Sequence, residues 1–392
     1  MQEFFVDLHI HVGKSAGGKW VKIPTSPQLT VRNILVEATE RKGIDIIGII
    51  DALSPLVLAE LSQMVDAGEL ILQSGGGYVY KNKITLILGA EIETRELNGG
   101  LSHTLIYFPN ITDIERFSQV MSKFIRNINI SSQNAHMTLE QLIRIASNFD
   151  AAIVPAHVFT PHKSLFGSCC RRLSHILSDQ AIAKIAAIEI GLSADSLLAD
   201  RLKELADFTL LTNSDAHSLE KIGREYNVML LAAPSFQECC KAFRNQEGRT
   251  IKANYGLDPR LGKYHRTSCA NCGNHDIDSM ENQCRSCGST KLVKGVADRI
   301  AEIADFPVAQ HPEHRAPYFY QIPLSFIPGL GKKTLAKLLE NFGTEMNIIH
   351  YASKDKLTAV VGETLSKEII RARSGKARVV SGGGGVYGKI VK

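Results

Sequence analysis

The sequence predicts an α/β protein with a largely parallel sheet, followed by a small metal-binding module and a basic helical tail. Three observations carry this reading. Short apolar runs alternate with amphipathic stretches up to about residue 253, two Cys-x2-Cys pairs follow in a polar segment, and the end of the chain is strongly basic. Strands alternating with helices imply a parallel arrangement that can close as a barrel, with the chemistry at the carboxyl ends of the strands.

In chain order, Asp7 to His11 reads as a strand end, because alternation puts His9 and His11 on one face. Val31–Lys42 carries apolar residues at helical spacing, and Ile44–Ile50 and Ile84–Leu88 are continuous apolar runs of strand length. Ile114–Ile125 and Leu139–Ser147 read as amphipathic helices, Ala152–Pro155 and Ile185–Ile190 as strands, Ser196–Ala206 as a helix and Phe208–Leu211 as a strand. Together these make a first block of residues 1–253. Residues 254–313 form the second block and 314–392 the third. Gly75 to Gly77 and Gly382 to Gly385 lack the Lys-Ser/Thr of a phosphate loop, so they read as a flexible loop and a tail turn.

At 392 residues the chain can hold two or three domains. No apolar run approaches the ~18–20 residues of a membrane span and no signal peptide opens the chain, which predicts a cytoplasmic protein. Residues 316–392 hold 12 Lys/Arg against 5 Asp/Glu, a charge of +7, whereas the first 315 residues sum to −2. A basic tail on a near-neutral body points to a polyanionic partner, most simply nucleic acid.

Cys269-x2-Cys272 and Cys284-x2-Cys287 lie 11 residues apart, the spacing of a zinc ribbon, and Gly273 and Gly288 suit the tight turn after each knuckle. Cys169, Cys170, Cys239 and Cys240 read as reduced thiols. In the third block, Ile327-Pro328-Gly329-Leu330-Gly331-Lys332-Lys333 separates two helical stretches and looks like a helix-hairpin-helix turn. Gly329 and Gly331 let backbone N–H groups approach a phosphate, while Lys332 and Lys333 add charge. A weaker copy centres on Gly362, with Glu363 where the second glycine would stand, and its helix Thr364–Arg373 carries Lys367, Arg371 and Arg373. These residues suit contact with the DNA backbone and not base reading.

The metal-type residues recur at the edges of apolar runs. They are His9 and His11, Asp51 after Gly48–Ile50, Glu91 after Ile87–Gly89, His103 before Thr104–Ile106, His157 after Ile153–Pro155, and Asp215 with His217. One such histidine alone would be read as structural. The paired spacings at both ends of the set argue instead for strand ends aimed at one polynuclear metal site.

The motifs Asp7-x-His9-x-His11, Gly89-Ala90-Glu91, Ser102-His103, Pro155-Ala156-His157 and Asn213-Ser214-Asp215-Ala216-His217 resemble those of the PHP (polymerase and histidinol phosphatase) superfamily. The full-length order, with a four-cysteine module and basic tail after the PHP domain, resembles the endonuclease Q family; Glu189 to Asp195 adds to that likeness. The resemblance implies a distorted (β/α)7 barrel and cleavage of DNA 5′ of a damaged nucleotide (deoxyuridine, deoxyinosine, deoxyxanthosine or an abasic site), leaving a 3′-hydroxyl. The expected partner is therefore damaged nucleoid DNA.

Two metal ions about 3.5–4 Å apart would bind the scissile phosphate and activate water. Zn2+ or Mn2+ suits mixed imidazole and carboxylate ligands, with Mg2+ as a further option, and Zn2+ suits the four thiolates. The expected ligands are His9, His11, Asp51, Glu91, His103, His157, Asp215 and His217, with Asp215, His157 and Glu91 central to catalysis. Ala52 follows Asp51 where many PHP proteins carry a histidine, which weakens the case for a third ion. Asp7 is expected to orient a ligand histidine. His162 and Lys163 are expected at the substrate, His136 and Glu189 are weaker candidates, and a base pocket is sought in Val12–Trp20 and Phe159–Gly167. A small-molecule phosphatase of histidinol phosphatase type and a non-catalytic nucleic-acid-binding protein are the alternatives. The first leaves the ribbon and basic hairpins unexplained, the second the metal residues.

Overall fold

The computed structural model describes residues 1–275, 277, 282–375, 378–383 and 385–391. Its strands are β1 (Gln2–Ile10), β2 (Ile46–Ile49), β3 (Leu70–Leu72), β4 (Tyr78–Tyr80), β5 (Ile84–Arg95), β6 (Leu101–Phe108), β7 (Ala152–Pro155), β8 (Ile188–Glu189), β9 (Leu210–Leu211), β10 (Tyr226–Leu231), β11 (Thr250–Gly256), β12 (Ser268–Cys269), β13 (Leu292–Val293), β14 (Tyr318–Tyr320), β15 (Arg378–Val380) and β16 (Lys389–Val391). The α-helices are α1 (Val31–Val36), α2 (Pro55–Asp66), α3 (Ile111–Met121), α4 (Leu139–Ala146), α5 (Asp179–Ile182), α6 (Ser196–Ala199), α7 (Phe236–Phe243), α8 (Val296–Ile303), α9 (Lys332–Phe342) and α10 (Lys354–Arg373).

Seven strands form a distorted ring. β1, β2 and β5 pair in parallel, and β6 pairs antiparallel with β5 and β7. The Ile153–Ile185 bridge leads from β7 to the segment entering β8, β8 pairs in parallel with β9, and the Ile10–Ala216 bridge returns to β1. The strands read as unbroken apolar runs because both faces are covered. All four residues of β2 are buried. Gly48 is required there, since a Cβ would stand 2.3 Å from the Leu8 carbonyl oxygen of β1. Helix starts follow local chemistry as well: Thr30 caps α1, and Thr138 with Gln141 forms a capping box on α4.

Outside the ring β3, β4, β10 and β11 pair antiparallel, and within it β6 departs from the parallel expectation. Only Glu96 to Gly100 separate β5 from β6, too few for a parallel crossover, so the chain turns back as a hairpin. The reversal puts the start of β6, with His103, on the rim where β1, β2 and β5 end. The helix expected over Ser196–Ala206 is also shorter. It stops at Ala199 because the carbonyls of Asp200 and Arg201 accept N–H groups of Gln310, Asp305 and Phe306 instead of continuing the helical ladder.

β10, β11 and β14 extend the sheet from β1. β11 therefore runs past Ala253 to Gly256, and the start of the third block enters the same sheet through Asn254–Tyr318 pairing. The end of the chain packs on the barrel through a Lys42–Glu345 ion pair of 2.9 Å and the Phe5, Tyr226 and His350 rings. Before Gly329 there is only a single 3-10 turn, Leu324–Phe326, where a helix was expected. α10 is broken at Gly362, whose φ is +80°. No helix among the described residues is long and apolar enough to cross a membrane.

Glu225 lies buried beneath the sheet. One oxygen accepts the Leu257 N–H at 2.8 Å, and the other has no partner. Burial pushes its carboxyl up to about 8. The unfolded carboxyl titrates near 4.3, so between about pH 4.3 and 8 the folded chain binds the extra proton and loses stability as pH rises. Glu225→Gln should therefore raise the Tm at pH 8, with the gain shrinking towards pH 5. Thermal unfolding at the two pH values checks this, and an equal shift at both would contradict it.

Candidate metal centre

β1 ends by placing His9 and His11 side by side, their rings 5.3 Å apart. Together with Asp215 they form one group of converging donor atoms; Glu91 of β5, His103 of β6 and His157 after β7 form a second. Donors about 2.1 Å from a common ion stand roughly 3.4 Å apart in tetrahedral geometry. The His9 Nε2–Asp215 Oδ1, His11 Nε2–Asp215 Oδ1 and His157 Nε2–Glu91 Oε1 separations are 3.5, 3.4 and 3.5 Å. Glu91 Oε1 also lies 3.6 Å from His9 Nε2, so this carboxylate stands between the groups. His9 Nε2 is buried and has no hydrogen-bond partner, an arrangement that a metal ion would satisfy.

The other face of each ring is tied down. His9 Nδ1 donates to both oxygens of Glu189 at 3.1 and 3.0 Å. His11 Nδ1 is 3.2 Å from both oxygens of Asp51, and His157 Nδ1 donates to the Thr160 hydroxyl oxygen at 3.3 Å. Such partners fix the tautomer and turn Nε2 inward. Asp51, expected as a ligand, lies outside both groups: it accepts from His11, the Val12 N–H and Ser131. Asp7, expected to orient a histidine side chain, instead accepts the backbone N–H groups of Ser214 and Gly223 at 3.0 and 2.9 Å, fixing the loop that carries Asp215. Arg224 grips the same loop through the Ser214 and Asp215 carbonyls.

His157 and Asp215 are held at φ of +31° and +45°, a strained region for non-glycine residues. Gly191 makes room for the first, since a Cβ there would meet the His157 Cβ at 2.7 Å. His217 lies beside the groups and outside both; its Nδ1 bonds the Asp215 carbonyl at 3.0 Å and its ring packs 4.5 Å from His11. Lys163 pairs with Glu93 at 2.7 Å and lines the cavity with His162. His136 is exposed, and Thr138 performs the capping expected near it.

Lys22 escapes sequence reasoning. It is buried against Glu91 Oε2 at 2.9 Å and bonded to Ser132. Burial disfavours its ammonium, but Glu91 and Asp51 hold its pKa above the ordinary lysine value. Burial likewise opposes ionisation of Glu91, yet His103 and Lys22 hold that carboxyl well below its usual range. His9 is depressed by burial and raised more strongly by Glu189 and Asp215. Glu93, despite burial, is drawn down to about 2 by His103 and Lys163. The two groups open into a cavity of about 220 Å³.

The four cysteines form a separate cluster. Cys269 Sγ–Cys287 Sγ and Cys272 Sγ–Cys284 Sγ are both 3.6 Å, far beyond a disulfide bond and near the roughly 3.8 Å edge of a tetrahedral zinc–thiolate site. Gly273 and Gly288, at φ of +73° and +70°, return their N–H groups to the Cys269 and Cys284 carbonyls. In the tail, Gly329, Gly331, Lys332 and Lys333 are exposed around one turn, and Gly331 caps α9. Lys367 pairs with Glu363 at 3.1 Å and Arg371 with Glu368 at 3.3 Å, both on the surface. Arg373 turns inward to the Ile348 and Ala352 carbonyls.

The two kinds of metal cluster share no residue. His9→Ala combined with His103→Ala should therefore empty the histidine–carboxylate groups while one zinc per chain stays on the cysteines. Elemental analysis after dialysis checks this, and a chain left with no zinc would contradict it.

No family model matches the chain. It is 43% identical over 391 residues to the uncharacterized Bacillus subtilis (strain 168) protein YqxK, with 100% of each chain covered. It is also 32% identical over 291 residues to the uncharacterized Methanocaldococcus jannaschii protein MJ0043, across 68% of this chain and 34% of that protein. The crystal structure of PfuEndoQ, a lesion-specific endonuclease from Pyrococcus furiosus, matches with a TM-score of 0.85 and 32% identity over 99% of this chain and 95% of that one. Endonuclease Q in complex with a 27-mer duplex carrying an abasic lesion at the active site matches with the same TM-score and identity, over 99% and 96%. Sequence and fold thus agree along the full length, and the chain belongs to the endonuclease Q family.

Proposed function

We propose that this chain is a metal-dependent DNA repair endonuclease acting on duplexes with deaminated bases or abasic sites. It hydrolyses the phosphodiester on the 5′ side of deoxyuridine, deoxyinosine, deoxyxanthosine or an abasic nucleotide and leaves a 3′-hydroxyl. The observation that carries this reading is Glu91 standing between two three-ligand groups in one cavity, within a chain that matches a lesion-bound endonuclease Q from end to end.

Zn2+, Mn2+ or Mg2+ held by His9, His11, Asp215, Glu91, His103 and His157 would supply Lewis-acid charge to the scissile phosphate and acidify a water. Glu189, Asp51 and Thr160 keep the imidazoles turned inward for that purpose. Burial and the neighbouring His11 bring His217 down to about 4, so at neutral pH it presents an uncharged ring to the cavity. Lys22 keeps Glu91 ionised and bound. Lys163 adds positive charge at the rim.

The donor groups lie inside a cavity and not on a flat surface, so the lesion nucleotide would have to leave the helix to reach them, a step least costly for a mispaired or missing base. We assign residues 1–253 to catalysis, 254–313 to a zinc-bound module and 314–392 to a helix-hairpin-helix grip on the DNA backbone. Gly329, Gly331, Lys332 and Lys333 make its first contact surface, and Lys367 and Arg371 its second; Arg373 supports it from within. This activity belongs on nucleoid DNA in the cytoplasm.

Asp215→Asn removes an anionic ligand. It should lower cleavage of an abasic duplex by more than the roughly 10–100-fold that loss of an outer partner costs, while DNA affinity changes little. Single-turnover cleavage and binding measured together test this, and near-normal turnover would sink the assignment. In the full chain, Lys332→Ala with Lys333→Ala should weaken binding equally for damaged and undamaged DNA. The log–log salt slope should fall by about 0.9 for each phosphate that is no longer neutralised. Loss of lesion preference alone, at constant slope, would make the tail a lesion reader instead.

A further inference from the structure

The loop that carries Asp215 and His217 is held from two sides. Asp7 of β1 accepts the Ser214 and Gly223 N–H groups, so the barrel secures that much of it. The rest is held by the third block. The Gln321 side-chain amide donates to the Arg224 carbonyl at 3.1 Å. The Arg224 guanidinium donates in turn to the Ser214 and Asp215 carbonyls at 2.7 and 3.3 Å. Lys42 donates to the Glu220 carbonyl and to the Glu345 carboxylate, both at 2.9 Å. Two chains of polar contact thus run from residues 321 and 345 to one ligand-bearing loop.

Gln321, Lys42 and Glu345 are all buried. A buried ammonium and carboxylate are tolerated only as a hydrogen-bonded pair, so neither can leave without cost to the other. Glycine allows the tail to approach this closely, since a Cβ on Gly43 would collide with the Thr344 side chain. Tyr226 of β10 orients the amide. Its hydroxyl donates to Gln321 Oε1 at 2.8 Å and lies 2.6 Å from His350 Nε2, which leaves the Gln321 amide nitrogen to face Arg224. By contrast the Lys332–Glu220 pair, 3.7 Å apart, is exposed and contributes little.

Resting on the metal centre proposed above, we propose that Gln321 and Lys42 are positioning residues for Asp215, so that the docked third block tunes metal binding by the His9, His11 and Asp215 group. Asp215 sits at a φ of +45°, which its own backbone does not favour. Its place as a ligand therefore depends on what grips the loop. The Glu91, His103 and His157 group lies on β5, β6 and the loop after β7, and receives none of these hydrogen bonds. The third block thus acts on one half of the rim and not on the other.

The test compares full-length wild type with Gln321→Met, and with Lys42→Met combined with Glu345→Gln. Gln321→Met removes the donor to Arg224 and leaves Tyr226 its His350 partner. The double variant removes both charges together, so neither stays buried alone. Mn2+ binding is followed by loss of the free-ion EPR signal, because Mn2+ suits sites with carboxylates and not the soft thiolates of the cysteine cluster. Each variant should bind Mn2+ roughly 10-fold more weakly at one rim site, the low end of what losing an outer partner costs, with the second site unchanged. On an abasic duplex kcat should fall at limiting Mn2+ and recover at saturating Mn2+, while duplex affinity and its salt slope keep their wild-type values. Weaker DNA binding at unchanged Mn2+ affinity would mean that these contacts only mount the tail, and would overturn the proposal. Equal weakening of both rim sites, or no change in any quantity, would overturn it as well. Gln321→Met decides should the double variant not fold. Wild type that takes up no Mn2+ would overturn the metal centre itself. Wild type that takes up Mn2+ and cleaves no abasic duplex would overturn the repair function alone.

Discussion

Glu189 accepts hydrogen bonds from His9 Nδ1, from the His157 N–H and from the Asn213 side-chain amide, at 2.8 to 3.1 Å. It is buried on a strand of two residues. A buried carboxyl group is costly unless its polar atoms find hydrogen-bond partners. Here those partners come from β1, from the loop after β7 and from the loop after β9. One side chain thus ties three separate motifs together.

Around that anchor the rim is a balance of charge. Asp51, Glu91, Glu93, Glu189 and Asp215 are gathered beside His9, His11, His103, His157 and Lys22, most of them away from water. Unpaired buried carboxylates would neutralise themselves. The imidazoles, Lys22 and Lys163 keep Asp51, Glu91, Glu93 and Asp215 charged and therefore able to bind cations. Holding His157 and Asp215 at positive φ costs energy as well, on the order of 1–3 kcal/mol each. Gly191 permits that geometry by leaving room for His157, and Asp7 and Arg224 maintain it by gripping the backbone of the Asp215 loop.

Sequence periodicity revealed what depends on alternation. The His9–His11 spacing and the apolar runs of β2, β5 and β7 are legible because strand geometry acts directly on neighbouring residues, whereas Asp215 and His217 lie in the loop after β9 and only Asp215 joins a group of donors. Asp7 turns to the backbone of the Asp215 loop and Asp51 to His11 and Val12, since residue type alone carries no mark of which hydrogen bond a carboxylate makes. β6 went unread as a strand because its hairpin breaks the α/β alternation, although His103 at its start was noticed. Lys22, Tyr264 and Tyr387 belong to no repeating pattern. Only the folded chain brings residues 22, 264 and 387 to one cavity, and nothing in local composition announces it. Of the glycines read as a tail turn, Gly384 lies outside the described residues, and Gly382 and Gly385 have a second use, which is to let the tail lie flush against residues 260–263.

The sheet pairing between Asn254 and Tyr318 also bears on how the molecule comes into being. β11 leaves the ribosome early, but its outer neighbour β14 emerges only after the whole cysteine-bearing segment has been made. Until then the nascent body exposes an unpaired strand edge, the kind of surface that recruits stray chains. A metal ion captured by the emerging cysteines would shorten the loop that β14 must close. Metal supply would then govern how long newly made protein stays vulnerable to aggregation, independently of any ion at the histidine–carboxylate rim.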